Sequence, residues 1–307
     1  MDTITNGRLE KVLVGGHFAV TGELGPPKHC GTEGMKKNIG HLKGSVDAAN
    51  ITDNQTAVVR ISSLGTAAIL MEEGLEPVMQ MTVRDRNRIA MQSDVLGAGA
   101  LGIPNLLCLT GDHQSLGNHP GSKGVYDLDS MQLLQMVKNM RDEAKFCNGD
   151  EIKFPPKLFI GAVWSPFSEP LDLRVPRLAK KIGAGADFIQ TQGIFDVEKF
   201  ADKMEEVREL GLHKKTNIMA GVIPVKSVGA ARYMQKFVSG LDIPNELINR
   251  LKAADDVKKE GINISIEILE RLQEIEGVAG AHIMAIMWEE KIPEITERAG
   301  LLPRPVV

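Results

Sequence analysis

Cysteines, aromatic residues and long apolar runs are all scarce in this sequence of 307 residues. Cys30, Cys108 and Cys147 stand far apart, which excludes a disulfide framework, a CxxC metal motif and most iron–sulfur sites within the chain. Aromatic residues make up only 4%, so the core must be aliphatic. No apolar run reaches the roughly 20 residues of a membrane span, and the N-terminus has no signal pattern. We therefore expect a cytoplasmic protein.

Charge and short motifs exclude further classes. The net charge is −4, from 36 basic and 40 acidic residues, which gives no reason to expect nucleic acid. The segment GAGALG (97–102) matches GxGxxG, but it ends a predicted helix instead of following a strand. The histidines form no HxH or HExxH pattern, so no metal site is predicted, and His282 is interpreted as a buried core residue.

Eight short apolar runs occur along the chain, and most of them are about 30 residues apart, which is the size of a βαβ unit. They are continuous rather than alternating, as in strands of a parallel sheet that is covered on both faces. The predicted strands are 17–24, 47–53, 77–82, 105–111, 158–164, 187–193, 217–225 and 280–287.

Helical patterns fill the gaps between these runs. One opens at Asp85 as a predicted N-cap, and another places Ile262, Ile266, Leu269 and Leu272 on one apolar face. Three extra helices are predicted between strands seven and eight, at 227–239, 243–252 and 257–275. The fold class is therefore α/β, a (β/α)8 TIM barrel forming a single domain, 1–307, with a doubly wound sheet as the alternative.

Polar residues gather where these strands end, which is where such barrels build their active sites. Glu23, Asp112 and Gln192 are the main candidates, and each also has an ordinary structural explanation. Glu23 and Asp112 could be turn residues, whereas a buried amide such as that of Gln192 needs hydrogen-bond partners, and a ligand is one possible partner. A polar loop of 15 residues, 112–126, is long enough to suggest a functional role.

Several of these stretches occur together and in order: GELGPP, NITDNQTA, LCLTGD, TQGIFD, GVIPV and AHIMAI. In this combination the chain resembles bacterial methylenetetrahydrofolate reductase over roughly residues 15 to 290. GELGPP corresponds to the family's E-x-x-P-P, LTGD to its L-R-G-D, and TQGIFD to its T-Q-x-x-F-D. The resemblance implies a flavin-binding barrel that reduces 5,10-methylenetetrahydrofolate to 5-methyltetrahydrofolate.

The resemblance also implies roles for the candidates at the strand ends. Glu23 would be the general acid that protonates the leaving nitrogen of the substrate. Asp112 would lie near the flavin and the pterin, and its charge would steady a developing cation. Gln192 would contact the pterin, because a side-chain amide can both donate and accept hydrogen bonds.

Further positions would bind the cofactor. The resemblance implies that Thr52 contacts the flavin, that Tyr126 covers it, and that Lys181 contacts its phosphates, with Lys180 adjacent. The remaining cofactor residues are Gln80, Thr110, Gly111, Asp112 and Ala162.

Departures from the family pattern touch the same pocket. Gln80 replaces a histidine and Thr110 replaces an arginine. FAD is the cofactor that the family implies, and FMN remains an alternative. Electrons could come from NADH or from an iron–sulfur partner subunit, and we expect an oligomer.

Two other functions stay open at the level of sequence. One is a phosphosugar-binding TIM-barrel lyase or isomerase, for which GVIPVKSVGAAR after strand seven would have to bind phosphate. The other is a non-catalytic barrel that serves as a subunit of a larger redox complex.

Overall fold

Eight parallel strands close into a barrel in the computed structural model, which describes residues 3–307. Each strand pairs with its neighbours in chain order, and β1 pairs with both β2 and β8. The strands are β1 (Ala19–Leu24), β2 (Ala48–Ile51), β3 (Pro77–Thr82), β4 (Asn105–Leu109), β5 (Phe159–Trp164), β6 (Phe188–Gly193), β7 (Asn217–Val222) and β8 (Val278–Ile283). The predicted (β/α)8 fold is confirmed, whereas residues 1–2 of the predicted domain lie outside the described residues.

Helices surround the barrel, and the three predicted extra helices lie between β7 and β8. The helices are α1 (Arg8–Val14), α2 (Glu33–Leu42), α3 (Ser63–Glu72), α4 (Arg88–Ala100), α5 (Ser130–Lys138), α6 (Arg174–Gly183), α7 (Val197–Glu209), α8 (Val228–Phe237), α9 (Asn245–Ala253), α10 (Val257–Gln273) and α11 (Ile292–Arg298). The predicted apolar face of α10 is buried. Within residues 3–307, no helix is both long enough and apolar enough to cross a membrane.

Two sequence predictions were wrong in detail. Asn87, not Asp85, is the N-cap of α4, and its side chain accepts hydrogen bonds from the N–H groups of Ile89 and Ala90. Asp85 instead accepts two hydrogen bonds from Arg84. Strand β4 stops at Leu109 instead of residue 111, because the chain turns at Gly111, whose φ of +85° suits glycine.

The lower part of the barrel interior is filled by apolar side chains. Helix α1 lies across this end and contributes Leu9, Val12 and Leu13, and the Glu76 carboxylate accepts hydrogen bonds from the N–H groups of Arg8 and Leu9. The strands contribute Ala19, Ala48, Val78, Leu107, Phe159, Phe188 and Met219. This apolar plug is a packed core that fills the lower interior of the barrel.

The plug contains a stacked pair of aromatic rings. The ring centroids of Phe159 and Phe188 lie 5.2 Å apart. The ring of Phe188 occupies the space beside Gly161, where an added Cβ would lie 2.3 Å from it. Gly161 is therefore required by this close approach, because the ring packs over its register partner on the neighbouring strand.

The long polar loop 112–126 lies at the opposite end of the barrel. It contains one 3₁₀ turn, Gln114–Leu116. Its end is fixed to the segment directly after β3, because the N–H groups of Val125 and Tyr126 donate to the carbonyls of Arg84 and Val83. Its middle is fixed to the loop after β2 through the side chain of Asn118, which accepts from the N–H group of Val59. The loop is thus held against the β2 and β3 loops at the upper rim.

Candidate active site

A cavity of about 470 Å³ opens at the carboxyl ends of the strands. Its volume lies within the roughly 300–1,000 Å³ that is typical of small-molecule sites. Eight predicted site residues line it: Glu23, Thr52, Gln80, Thr110, Gly111, Asp112, Lys181 and Gln192. The strand ends therefore converge on one pocket, and the fold brings together residues that are up to 169 positions apart in the sequence.

Glu23 lies near the end of β1, in register with Asn50 of β2. Its side chain points to the barrel interior and is 13% exposed. One oxygen of the carboxylate lies 3.6 Å from Nε2 of His282, and the side of the group that faces the cavity remains open. A strand that is otherwise buried thus ends in a carboxyl group that can reach a ligand.

Arg84 holds three of the rim loops together and was missed by the sequence analysis. Its guanidinium is only 2% exposed and donates to the carboxylate of Asp85 and to the carbonyls of Asn54 and Asp112. The Asp85 carboxylate raises the pKa of Arg84, and Arg84 lowers the pKa of Asp85. This buried arginine therefore fixes the backbone on which Asp112 stands.

Asp53 organises the wall beside Arg84. Its carboxylate accepts hydrogen bonds from the N–H and hydroxyl of Thr82, and it forms an ion pair with Arg86 at 2.7 Å. Because those partners satisfy Asp53, its role in the cavity wall is structural.

Asp112 follows directly on the glycine turn at the end of β4. One oxygen of its carboxylate accepts a hydrogen bond of 3.0 Å from the N–H group of Thr56. The side chain is exposed and borders the cavity. Its negative charge therefore faces the same space as Glu23.

The two glutamines of β6 behave differently. Gln192 lines the cavity, and its side-chain oxygen Oε1 accepts a hydrogen bond from the N–H group of Gly193. The side-chain N–H₂ group therefore stays available to a ligand. Gln190 is only 1% exposed and is satisfied inside the barrel by Asn50 and Thr21. A ligand is thus a possible partner for Gln192, but not for Gln190.

Three cations of α6 face the cavity from its other wall: Arg174, Arg177 and Lys181. Within residues 3–307 none of the three forms an ion pair with a carboxylate. The pKa of Lys181 is lowered to about 8, because burial disfavours the charged amine and because Arg177 and Arg174 repel it. The negative charge of an anionic ligand would offset both the cost of burying the charged amine and the repulsion from the two arginines.

Thr52 supplies a further sign of a missing polar partner. Its hydroxyl oxygen is buried at the cavity wall and has no hydrogen-bond partner among the described residues. Buried polar groups in proteins are nearly always paired. The position therefore suits a ligand that has a polar atom at this point.

Two predicted cofactor residues lie outside the cavity wall. Ala162 is fully buried in the core between the barrel and the helices, so only its backbone could approach a cofactor. Tyr126 is 38% exposed at the rim, with a left-handed φ of +43°. Its side chain packs against Gly124, at the end of the loop above the cavity.

The fold and the site define a TIM barrel with a polar, partly cationic ligand cavity at its upper mouth. A family model described as methylenetetrahydrofolate reductase matches residues 8–300. The chain therefore belongs to the methylenetetrahydrofolate reductase family, as the sequence motifs predicted.

Two curated relatives are similar to most of this chain but are much longer than it. A probable methylenetetrahydrofolate reductase (NADPH) of Caenorhabditis elegans is 27% identical over 265 residues, which cover 83% of this chain and 36% of the relative. Methylenetetrahydrofolate reductase 2 of Schizosaccharomyces pombe is 25% identical and covers 88% of this chain and 42% of the relative. The chain thus spans about two fifths of the length of these relatives.

A solved structure shares the fold over almost its whole length. It is an uncharacterised protein from Clostridium thermocellum that binds two copies of 5-methyl-5,6,7,8-tetrahydrofolic acid. The TM-score is 0.65 at 15% identity, and the match covers 95% of this chain and 98% of the other. At that identity the likeness supports the barrel fold alone.

Proposed function

We propose that this protein catalyses the flavin-dependent reduction of 5,10-methylenetetrahydrofolate to 5-methyltetrahydrofolate. The observation that carries the proposal is the convergence of Glu23, Asp112 and Gln192 on one cavity at the carboxyl ends of the strands. The family membership of the chain supports it, and the solved neighbour with bound methyltetrahydrofolate is consistent with it.

Glu23 is the general acid in this proposal. The five-membered ring that carries the methylene group must open before its carbon can accept a hydride. Protonation of the leaving nitrogen by the Glu23 carboxyl group breaks the carbon–nitrogen bond and leaves an iminium cation at the other nitrogen. The position of Glu23 suits this task, because its partly buried carboxyl group lies at the cavity wall, within reach of a bound substrate.

Asp112 and Gln192 bind and stabilise the substrate. The Asp112 carboxylate places a fixed negative charge beside the cavity, where it attracts the cation formed on the opened ring. The free amide N–H₂ group of Gln192 can donate to the acceptor atoms of a pterin. Together they orient the exocyclic carbon toward the hydride donor.

The cavity also fits a flavin cofactor. The unpaired hydroxyl of Thr52 suits a polar edge of the ring, and Gln80, Thr110, Gly111 and Asp112 continue the same wall. Tyr126 would cover the ring from the rim, and the backbone at Ala162 would approach it from β5. A bound flavin supplies the hydride for the exocyclic carbon.

The cations of α6 are the proposed site for the phosphate of the flavin. Lys181 faces the cavity, whereas Lys180 is exposed, so Lys181 is the phosphate ligand in this proposal. Arg174 and Arg177 are available to the same anion. Both FAD and FMN carry phosphate next to the ribityl chain, so the cations fit either cofactor.

The electron donor is proposed to be NADH or an iron–sulfur partner subunit, acting on the same flavin, and the protein is proposed to be an oligomer. The phosphosugar alternative loses support, because Arg174, Arg177 and Lys181 of α6 line the cavity, whereas the lysine after β7 does not. There, Lys226 donates to the carbonyl of Met287 and lies over the ring of Trp288.

The experiment that tests this proposal begins with the identity of the cofactor. The cofactor is released from the purified protein by heat, and its mass distinguishes FAD from FMN. Lys181→Met should then lower the flavin content of the purified protein, whereas the adjacent Lys180→Met, as the matched control, should leave it unchanged. A colourless wild-type protein that binds neither flavin nor folate would contradict the proposed function.

A further inference from the structure

The loop after β2 contains a short stretch of strained backbone beside Asp112. Asn54, Thr56 and Ala57 have left-handed φ values of +46°, +57° and +54°. Asparagine tolerates this conformation, but it is costly for alanine and most of all for a β-branched residue such as Thr56. Strained backbone that persists in a folded protein tends to cluster at functional sites. The strain at residues 54–57 therefore requires an explanation.

This left-handed turn brings one backbone donor to Asp112. The N–H group of Thr56 donates to Oδ2 of the Asp112 carboxylate at 3.0 Å. The turn also packs tightly against the loop that follows Asp112, because a Cβ added at Gly117 would lie 1.8 Å from the carbonyl oxygen of Ala57. The loops after β2 and β4 are therefore joined at this point by a hydrogen bond and by a close backbone contact.

Arg84, in the segment after β3, connects the same two loops. Its guanidinium donates to the carbonyl of Asn54 at 3.2 Å and to the carbonyl of Asp112 at 3.0 Å. Its own carbonyl accepts a hydrogen bond from the N–H group of Val125, at the end of the long loop. Because the donors of a guanidinium have a fixed, planar arrangement, Arg84 fixes the turn and Asp112 relative to each other.

The charge of Arg84 is already paired within the protein. The side chain is 2% exposed, and Nη2 lies 2.6 Å from the carboxylate of Asp85. Four of its five N–H groups donate to the three acceptors at Asn54, Asp85 and Asp112. Arg84 therefore contributes geometry to the cavity wall, whereas a free cation would contribute charge.

We propose that Arg84 and the left-handed turn at residues 54–57 position the Asp112 carboxylate at the cavity wall, and we call them the Asp112 clamp. Arg84 is a positioning residue, because it acts on a ligand through Asp112. The hydrogen bonds of the clamp offset the strain of the turn. The contacts of the clamp stand on the geometry alone, whereas its consequences for flavin and folate rest on the proposed function.

The contact between Thr56 and Asp112 is tested first, by hydrogen exchange of the Thr56 amide measured by NMR in the flavin-loaded protein. Asp112→Ala removes the acceptor, and it should fold normally because the Asp112 side chain is exposed. The Thr56 amide should exchange about tenfold faster in this variant, as expected on loss of a hydrogen bond to a charged group. Equal exchange rates in the wild type and Asp112→Ala would overturn the proposal.

The contribution of Arg84 is tested by Arg84→Lys, which keeps the charge but loses the planar arrangement of donors. The Thr56 amide should exchange faster in this variant as well. Arg141→Lys is the matched control, because the Arg141 side chain is only 8% exposed and donates to the carboxylate of Asp142 and the carbonyl of Leu158, directly before β5. It should leave the Thr56 amide unchanged. A wild-type exchange rate in Arg84→Lys would overturn the role of Arg84.

The functional consequence is tested on the same variants. In Arg84→Lys the reduction potential of the flavin should rise, in the direction expected when the Asp112 charge moves away, and methyltetrahydrofolate should bind about fivefold more weakly. Arg141→Lys should change neither quantity. In an Asp112→Ala background, Arg84→Lys should weaken folate binding no further, because the two residues act as one unit. An equal loss of folate affinity in both backgrounds would overturn the positioning role.

Failure of the proposed function gives a different result from failure of the clamp. If methyltetrahydrofolate neither binds to the wild-type protein nor reduces its flavin, the proposed function fails. The exchange rates of the Thr56 amide then still decide whether the clamp exists. If Arg84→Lys changes those rates but leaves the flavin potential and the folate affinity of a functional enzyme unchanged, the clamp does not serve the ligand site and the proposal is wrong.

Discussion

The lower and upper halves of the barrel interior are built from opposite kinds of side chain. The lower half is the apolar plug, in which α1 and the stacked rings of Phe159 and Phe188 fill the space. The upper half begins at a layer of buried, hydrogen-bonded polar side chains, Thr21, Asn50, Gln190 and His282. It opens into a cavity with Glu23 and Asp112 at its wall. Stability and chemistry are therefore separated along the barrel axis, and substitutions in the two halves should have separable effects.

The largest effect is expected for Glu23→Gln in the upper half. The amide cannot protonate the leaving nitrogen, so folate turnover should fall by about 10²- to 10⁴-fold. Flavin content, flavin reduction by a chemical reductant and the free energy of unfolding should match the wild type. Rapid-mixing absorbance under anaerobic conditions measures the rate, and normal turnover would refute the acid assignment.

Phe188→Ala is the corresponding change in the lower half. It removes a fully buried ring from the plug, which should lower the free energy of unfolding by about 3–5 kcal/mol. Urea denaturation measures the loss. The protein that remains folded should keep its flavin and its folate turnover per bound flavin. A fall in turnover as large as that of Glu23→Gln would show that the two halves are not separable.

The pH dependence of stability should reveal the buried charge of Lys181. Its folded-state pKa of about 8 lies below the ordinary value of 10.5, so the unfolded chain binds more protons between these two pH values. The flavin-free protein should therefore become more stable as pH rises from about 8 to 10.5, by at most about 3 kcal/mol.

The contribution of Lys181 is isolated by comparing variants. Urea denaturation of wild type, Lys181→Met and Lys180→Met at a series of pH values gives the difference directly. Lys181→Met should lose the rise and should exceed the wild type in stability near pH 7, whereas Lys180→Met, the matched control at an exposed position, should keep the rise. Identical pH profiles for wild type and Lys181→Met would contradict the predicted shift.

The smallest effect is expected for Asp112→Asn. Loss of the carboxylate removes a negative charge beside the proposed flavin site, so the reduction potential of the flavin should rise. We expect this rise in reduction potential to be about 30 mV, which corresponds to roughly 1.4 kcal/mol for two electrons. Folate binding should weaken as well. A potential equal to that of the wild type, measured by dye equilibration, would remove the electrostatic role of Asp112.

The strand framework could be predicted from the sequence because buried parallel strands leave a local signal. Eight apolar runs gave eight strands, with errors of a few residues at their ends. Glu23, Asp112 and Gln192 were also identifiable, since each follows or ends such a run. The resemblance of the motifs to the family implied a role for each of these residues, and in the structure all three line one cavity.

Other parts of the site depend on contacts that no local pattern shows. Arg84 stands in the charged segment VRDRNR, which suggests solvent exposure, yet three loops fold around it. Among the hydrogen-bonded polar side chains inside the barrel, Thr21 and His282 are 261 residues apart, and Asn50 and Gln190 are 140 apart. Only closure of the barrel brings these pairs together. Helix α1 is seven residues long, and its position in the plug depends on the shape of the barrel end.

The most direct test of the account is an anaerobic titration of the purified, flavin-loaded protein with 5-methyltetrahydrofolate. The account predicts that the wild-type flavin is bleached as it takes hydride from the methyl group. It also predicts that the flavin of Glu23→Gln stays oxidised until a chemical reductant is added. A wild-type flavin that stays yellow with excess methyltetrahydrofolate, but is reduced by the chemical reductant, would contradict the central claim.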